Sequence, residues 1–335
     1  PSAAGSILLL QEYYNKLHPG VFMRASTLKG LVIHTASEAG PDLGPDYQHG
    51  WGLINMEKAA AVITSNNTKQ LIQENILNNG GVFSLPVIAS GEGDLTATIS
   101  WTDPKGAVET TNILNNPALK LVHDLDIRIK KGATIYQPWI LNPASPSSAA
   151  QKGDNFRDNV EKVEVTDVIP GQAYTIEVTH KGSLQIGLQA YSLIVSGVGG
   201  QPYCSSAPIS TAGARIDSVS IGTLQKGNAA GCTGYTNYSN FTAGIETNSS
   251  IPFFVKVSSC DASVAAKIVK AFMDFNNDGD FIDAGELIAT SPVINGNGNY
   301  AGTINIPAGL VTGNYSMFRV IVQETTNAAN VNPCG

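Results

Sequence analysis

Asp274, Asn276, Asp278, Asp280 and Glu286 set five oxygen-bearing side chains into one short stretch, Asp-Phe-Asn-Asn-Asp-Gly-Asp-Phe-Ile-Asp-Ala-Gly-Glu. Four of them recur at alternate positions, and Gly279 permits the sharp reversal that would gather them around a common centre. Hard carboxylate and amide oxygens suit a hard cation. The expected ligand is therefore calcium, Ca2+, in a structural role that holds the loop against proteolysis. A plain Asn/Asp/Gly turn is the competing reading, because these side chains also close turns without an ion. Five donors are more than a turn requires.

The spacing follows only the first half of an EF-hand loop. Glu286 falls one place beyond the usual twelfth position, and no helical pattern flanks the stretch. The chemistry is that of a calcium loop carried on a β-framework. A second acidic set is Asp103, Asp124 and Asp126. Asp124 and Asp126, two apart on an alternating stretch, share one sheet face, and Asp103, Asp154 and Asp158 would have to converge on them from loops to hold calcium. A solvated face with surface ion pairs is the other reading. A glycosidase-like carboxylate pair fits less well, since no aromatic cleft pattern accompanies these acids.

The elements that must carry these groups are mostly strands. From about residue 66 the apolar residues alternate: Leu95, Ala97, Ile99 and Trp101; Leu125, Ile127 and Ile129; Val163 and Val165; Tyr174, Ile176 and Val178; Leu184, Ile186 and Leu188; Tyr191, Leu193 and Val195. Short strands between Gly, Pro, Asn and Asp turns predict a sandwich or jelly roll with one wet and one dry face on each sheet. Residues 198–202 read as a linker. Beyond it, strands are expected over 251–257, 266–273, 300–306 and 315–322.

Residues 1–65 follow a helical period instead. One helix runs to about Asn15 and stops at His18-Pro19-Gly20, a second is capped by Ser26, and a third is capped by Asn55 and carries Ala59, Ala60 and Ile63. Ile7-Leu8-Leu9-Leu10 is apolar all round, as in a helix buried on every side. Three helices cannot enclose it, so the segment reads as the tail of a domain whose sheet precedes it. With no Met and no charged leader in front, Pro1 is read as an internal residue of a longer chain.

Composition narrows the function classes. The chain has 335 residues, a net charge of −7 and only 14% charged residues. A basic nucleic-acid footprint is absent, and no apolar run approaches the roughly 20 residues that cross a bilayer. All four cysteines, Cys204, Cys232, Cys260 and Cys334, lie after the linker with no Cys-x-x-Cys pair, which favours disulfides over zinc and places the protein in an oxidising compartment. Three pairings are open. Cys204 with Cys232 and Cys260 with Cys334 is expected, because it demands no crossed loops; buried free thiols are the alternative. The sequons at Asn66, Asn237, Asn240, Asn248 and Asn314 are what an Asn/Ser/Thr-rich surface generates by chance.

Three landmarks in the helical segment occur in the order found in subtilases. Pro1-Ser2-Ala3-Ala4-Gly5 resembles the end of the nucleophile motif of these subtilisin-like serine peptidases, Leu28-Lys29-Gly30-Leu31-Val32-Ile33-His34-Thr35-Ala36 is similar to their next helix, and Gly50-Trp51-Gly52-Leu53-Ile54-Asn55 is similar to their final turn. The resemblance implies a catalytic serine just upstream of Pro1 and an acid and base further upstream. It leaves Ser2 and Ser6 as structural residues, puts His18, His34 and His49 on the wrong side of the nucleophile, and makes this stretch inactive by itself. Ile99-Ser100-Trp101-Thr102-Asp103-Pro104, Leu121 to Asp126, Asp158-Asn159-Val160-Glu161 and Tyr174 to Val178 resemble the β-domain of one subtilase branch, with His123 where that branch usually has Asn.

Tyr203-Cys204, Gly234-Tyr235-Thr236-Asn237-Tyr238 and Met273-Asp274-Phe275-Asn276-Asn277-Asp278-Gly279-Asp280-Phe281 resemble the extracellular GEVED modules, with Pro333-Cys334-Gly335 standing shortly before the family's naming motif. The expected fold is thus mostly β: helices at the C-terminal end of an α/β subtilase domain (1–65), a jelly-roll domain (66–197) and a GEVED-like β-sandwich cut short at its end (203–335). The resemblances imply the C-terminal part of a secreted or cell-surface bacterial endopeptidase acting on proteins or peptides, with an extracellular ligand for the last module. A non-catalytic binding or adhesion protein with a degenerate subtilase domain is the alternative.

Overall fold

The computed structural model describes residues 2–334 apart from 111, 112, 115, 207, 209 and 228–230; Pro1 and Gly335, which figure in the motifs above, lie outside the described residues. The chain is mostly antiparallel β-structure divided into two compact units. The first comprises residues 1–89, 94–168 and 173–199, and the second residues 90–93, 169–172 and 200–335.

The first unit opens with α1 (Ser2–Leu17), α2 (Ala25–Thr35) and α3 (Met56–Thr64). Its strands are β1 (Gln70–Asn78), β2 (Phe83–Ile88), β3 (Leu95–Trp101), β4 (Asp124–Lys131), β5 (Thr134–Tyr136), β6 (Trp139–Ile140), β7 (Gln151–Lys152), β8 (Val160–Val165), β9 (Ala173–Lys181) and β10 (Leu188–Ser196). Two four-stranded sheets result, ordered β1-β10-β3-β8 and β2-β9-β4-β5, with β6 and β7 as a separate pair. Alternation supplies the core: Leu95, Ala97, Ile99 and Trp101 on β3, Leu125, Ile127 and Ile129 on β4, and Tyr174, Ile176 and Val178 on β9 are all buried.

The expectation of a wet face fails on β3, where all seven residues are buried. The polar half of the alternation, Thr96, Thr98 and Ser100, lies under α2 instead of water. Gly30 allows the approach: a Cβ there would stand 2.7 Å from Ile194 Cδ1 and 3.2 Å from Ser100 Cβ. Hydroxyls then satisfy one another across the interface, with Ser26 Oγ and Thr27 Oγ1 each 2.8 Å from Ser192 Oγ. Ser26 is accordingly not an N-cap. The cap position of α2 is Arg24, without a side-chain bond. Asn55 does cap α3, its side chain accepting the Lys58 N–H at 2.9 Å.

α1 is covered on one side only. Leu10 is buried, with Leu31, Ala59, Val62 and Ile63 as core partners, but Leu8 and Leu9 are 68% and 65% exposed. Only one stripe of the helix meets α2 and α3. Residues 184–188 do not form one strand: Gln185–Gly187 is a 3-10 turn in which Ile186 takes φ +55° and points into solvent.

The second unit contains β11 (Ala214–Ile221), β12 (Leu224–Gly227), β13 (Ser250–Ser259), β14 (Ala266–Met273), β15 (Leu287–Thr290), β16 (Ile294–Asn295), β17 (Gly298–Asn305) and β18 (Phe318–Glu324). One sheet is ordered β12-β11-β13-β17. In the other, β14 is flanked by β15 and β16 on one edge and β18 on the other. Phe253, Val255, Val257, Val269, Ala271, Met273 and Ile304 fill the core.

The disulfides are Cys204–Cys334 and Cys232–Cys260, correcting the sequential pairing. Strand pairing decides this. β11 pairs with β13, so the Cys260 N–H reaches the Gly213 carbonyl at 2.9 Å and Cys260 lies at the end of the sheet that Cys232 approaches. The C-terminal tail returns along β14, where Val331 is buried and its carbonyl accepts from Lys270 Nζ at 3.0 Å, bringing Cys334 to Cys204. Nested bridges need no crossed loops either.

Candidate metal centre

The acidic stretch is the connection between β14 and β15. β14 delivers Asp274 directly after buried Met273, and the Met273 N–H donates to the Glu286 carbonyl at 2.9 Å, so the first and last acids of the stretch face each other across the hairpin neck. Both side chains are buried. Between them Asn277 (φ +58°) and Gly279 (φ +94°) adopt left-handed backbone, which turns successive N–H groups inward.

Asp274 organises the turn. Its Oδ1 accepts the Asn277 N–H at 2.6 Å, and its Oδ2 accepts the Gly279 N–H at 3.1 Å and the Tyr203 hydroxyl at 2.5 Å. Its own N–H donates to the Met317 carbonyl at 3.1 Å, and its carbonyl accepts from Ser316 Oγ. Glu286 is held likewise, Oε1 accepting the Phe275 N–H and Oε2 the Asp283 N–H, each at 3.2 Å. Asn276 Nδ2 donates to Asp278 Oδ2 at 2.9 Å and Asp283 Oδ2 at 2.6 Å, while Asp278 and Asp280 accept N–H groups two residues ahead of themselves.

Two overlapping oxygen clusters follow. Asp274, Asp278 and Glu286 each bring one ligand atom within 4.8 Å of the others, and so do Asp278, Asp280 and Asp283. Asp278 belongs to both. The structure thus places the predicted carboxylates Asp274, Asp278 and Glu286 in one cluster and Asp278 and Asp280 in the other, and adds Asp283, which alternate spacing passed over and which Asn276 bridges to Asp278. Tyr203 was also missed, since nothing local ties it to a loop some 70 positions on. Burial, with the Asp274 and Asp278 charges added, pushes the Glu286 carboxyl up to about 7. Among the described residues no Lys or Arg forms an ion pair with any of these acids. Crowded oxygens on a fixed turn are of the chemical type that hard divalent cations accept.

The second acidic set is arranged differently. Lys181 Nζ lies 3.3 Å from Asp124, 2.7 Å from Asp126 and 2.7 Å from Asp154, and Arg128 Nη2 lies 3.0 Å from Asp126 and 2.8 Å from Asp154. Two cations occupy the space between these carboxylates. Asp103 is not brought to them: it accepts the Val122 and His123 N–H groups at 2.8 and 2.9 Å. Asp158 instead accepts from Asn155 Nδ2 at 3.0 Å.

The histidines named in the helical segment and the first β-unit lie in different settings. His34 is buried between Thr98 Oγ1 (2.9 Å) and Ser196 Oγ (2.6 Å), with no carboxylate orienting it, and burial pushes its pKa down to about 3. A base held neutral and sealed between α2 and the sheet, with only hydroxyl partners, matches a structural group. His123 is also buried: Nδ1 lies 2.6 Å from Gln189 Oε1, and Nε2 accepts the Gln185 N–H at 2.6 Å, which fixes the tautomer with the proton on Nδ1. His49 is exposed beside Asp46 at 3.2 Å, and the His18 ring lies 4.6 Å from that of Tyr14, tilted by 44°. Ser2 is exposed.

Residues 268–335, which include the whole acidic loop, match the family model of the GEVED domain. Over 218 residues the chain is 25% identical to the serine protease/ABC transporter B family protein tagA of Dictyostelium discoideum, covering 59% of this chain and 12% of that protein. The chain thus spans a small part of the curated relative that it matches. Among solved structures, β-D-mannosidase of Dictyoglomus thermophilum is 7% identical with a TM-score of 0.20, covering 72% of this chain and 27% of that one. The β-glucuronidase of Ruminococcus gnavus is 8% identical with a TM-score of 0.17, covering 90% and 39%. Scores this low relate neither fold to this one.

Proposed function

We propose that this chain is the C-terminal part of a secreted subtilisin-like serine endopeptidase, with the nucleophile and its base and acid supplied by residues outside the sequence described. The observation that carries the reading is the order of the three subtilase-like landmarks in α1, α2 and the turn before α3, in a chain similar to a protein named as a serine protease. The surface of the helical segment agrees with it. Leu8, Leu9, Phe22, Leu43 and Leu53 are each largely exposed, apolar side chains that the remaining α/β layers of such a domain would be able to cover. The two disulfides fit an extracellular protein, and among the described residues no helix is long and apolar enough to cross a membrane.

Within this reading the β-units stabilise the catalytic unit or shape access to protein substrates. The loop at 274–286 binds Ca2+ through Asp274, Asn276, Asp278, Asp280 and Glu286, with Asp283 beside them, and the bound ion slows local unfolding. These residues hold the loop in its turned conformation through their own hydrogen bonds, so the ion meets oxygens already gathered.

The test is the natural reading frame that contains this chain, expressed whole. A serine-directed fluorophosphonate should label it at a serine upstream of Pro1, and it should cleave casein. The present chain alone should take no label. Labelling at Ser2 or Ser6, or a full-length protein that is folded and neither labelled nor proteolytic, would overturn the reading, the second outcome in favour of a binding or adhesion protein.

A further inference from the structure

Gln201 to Cys204 forms a strap against the acidic loop. A Cβ on Gly279 would lie 2.6 Å from Gln201 Cβ and 2.8 Å from its carbonyl oxygen, so the loop glycine is packed directly on the strap backbone. Tyr203 donates its hydroxyl to Asp274 at 2.5 Å, and its ring centroid lies 5.2 Å from that of buried Phe281. The Arg319 guanidinium, 4.6 Å from the centre of the Phe281 ring, donates to the Cys204 carbonyl at 2.8 Å and to the Pro333 carbonyl at 2.6 Å. One covalent bond fastens the strap, Cys204 to Cys334 across 130 positions.

We propose that the Cys204–Cys334 disulfide is a redox-operated fastener for the acidic loop: intact, it holds Tyr203 on Asp274 and Gln201 on Gly279, and reduced, it lets the strap lift and the turn open. Both cysteines are only partly buried, so a dithiol can reach them. A thiolate of the dithiol attacks Cys334 Sγ, the S–S bond breaks, and Cys204 leaves as thiolate beside Arg319 Nη1, which stands 3.2 Å from Cys204 Sγ and stabilises that charge. The second thiolate of the dithiol then attacks the mixed disulfide and releases Cys334, so the dithiol is oxidised as the two cysteines are reduced. Without the cross-link, closing the strap on the loop must repay the entropy of a long free tail. Tyr203 is in this scheme a positioning residue for Asp274.

The consequence for calcium rests on the reading of the loop as a calcium site; the opening of the loop does not. The experiment therefore measures both in the full chain. Amide exchange is followed at Asn277 and Gly279, whose N–H groups bond Asp274, in EDTA and in calcium, for the wild type, Cys204→Ser/Cys334→Ser and Tyr203→Phe. Val255 and Val257 in the core report that each variant is folded. The expected result in EDTA is exchange at Asn277 and Gly279 faster by about tenfold or more in the double variant and by a smaller factor in Tyr203→Phe, with Val255 and Val257 unchanged. Calcium affinity by titration calorimetry should fall in the same order. Unchanged loop exchange in both folded variants overturns the fastener. Faster loop exchange in a protein that binds no calcium keeps the fastener and removes the calcium reading. Should the double variant fail to fold, Tyr203→Phe decides: no effect on either amide overturns the proposal.

Discussion

Glu161 Oε2 accepts the Ile127 N–H at 2.8 Å, so a carboxylate on the last strand of one sheet, β8, closes the edge of β4 in the other, beyond the reach of the short strand β5. Glu161 is fully buried, and among the described residues its Oε1 has no hydrogen-bond partner. Burial, reinforced by the Asp126 charge, pushes its pKa well above the ordinary carboxylate range, against the pull of the Ile127 N–H, Arg128 and Lys181.

Because the folded-state pKa is raised, the stability linked to Glu161 is fully present below the unfolded value of about 4.3 and is lost as pH rises through the folded value. Glu161→Gln keeps an acceptor for Ile127 and cannot ionise. Thermal melts should show the variant equal to the wild type near pH 4 and increasingly the more stable of the two as pH rises towards 8. A variant as pH-sensitive as the parent would show that the carboxyl is not the titrating group.

His34 has the opposite sign. Its folded pKa is depressed to about 3 by burial, so its contribution is present above the unfolded value of about 6.5 and is lost as pH falls towards 3. His34→Ala should cost about 1–3 kcal/mol at pH 7, by stranding the hydroxyls of Thr98 and Ser196, and should flatten the acid limb of a urea stability profile. An unchanged acid limb would contradict the assignment.

Gly30→Ala tests the seating of α2 on the sheet. Alanine favours an isolated helix by about 1 kcal/mol, yet its Cβ would collide with buried Ile194. Overpacking should win, with a net loss of about 1–2 kcal/mol in denaturant unfolding. A stabilised variant would mean that α2 can lift without cost.

The two acidic clusters should separate on calcium. Asp278, shared by both oxygen clusters of the 274–286 loop, is the residue to remove. Asp278→Ala should abolish the rise in melting temperature that calcium gives over EDTA, whereas Asp126→Ala, which breaks an ion-pair network already held by Lys181 and Arg128, should lower stability without changing the calcium response. Equal responses in the parent and Asp278→Ala would remove this loop as the metal site.

The sequence by itself determined what depends on neighbouring residues. Period-two alternation marked β3, β4 and β9, the helical period marked α1 to α3, Asn55 announced its cap, and the Asp/Asn/Gly run defined the β14–β15 turn that gathers its own oxygens. Those features arise from backbone sterics and contacts a few positions apart. Tertiary structure decided the rest, because the partners are far apart in the chain. Thr96, Thr98 and Ser100 look like a wet face until α2 covers them. Asp124 and Asp126 read in sequence either as calcium ligands or as a face of surface ion pairs, and strand pairing sets Lys181 beside them. Cys204 meets Cys334 where the tail returns along β14, and Tyr203 meets Asp274 across 71 positions of sequence. Local periodicity fixes which way a side chain faces; what it faces is set by the packing of elements that no short window contains.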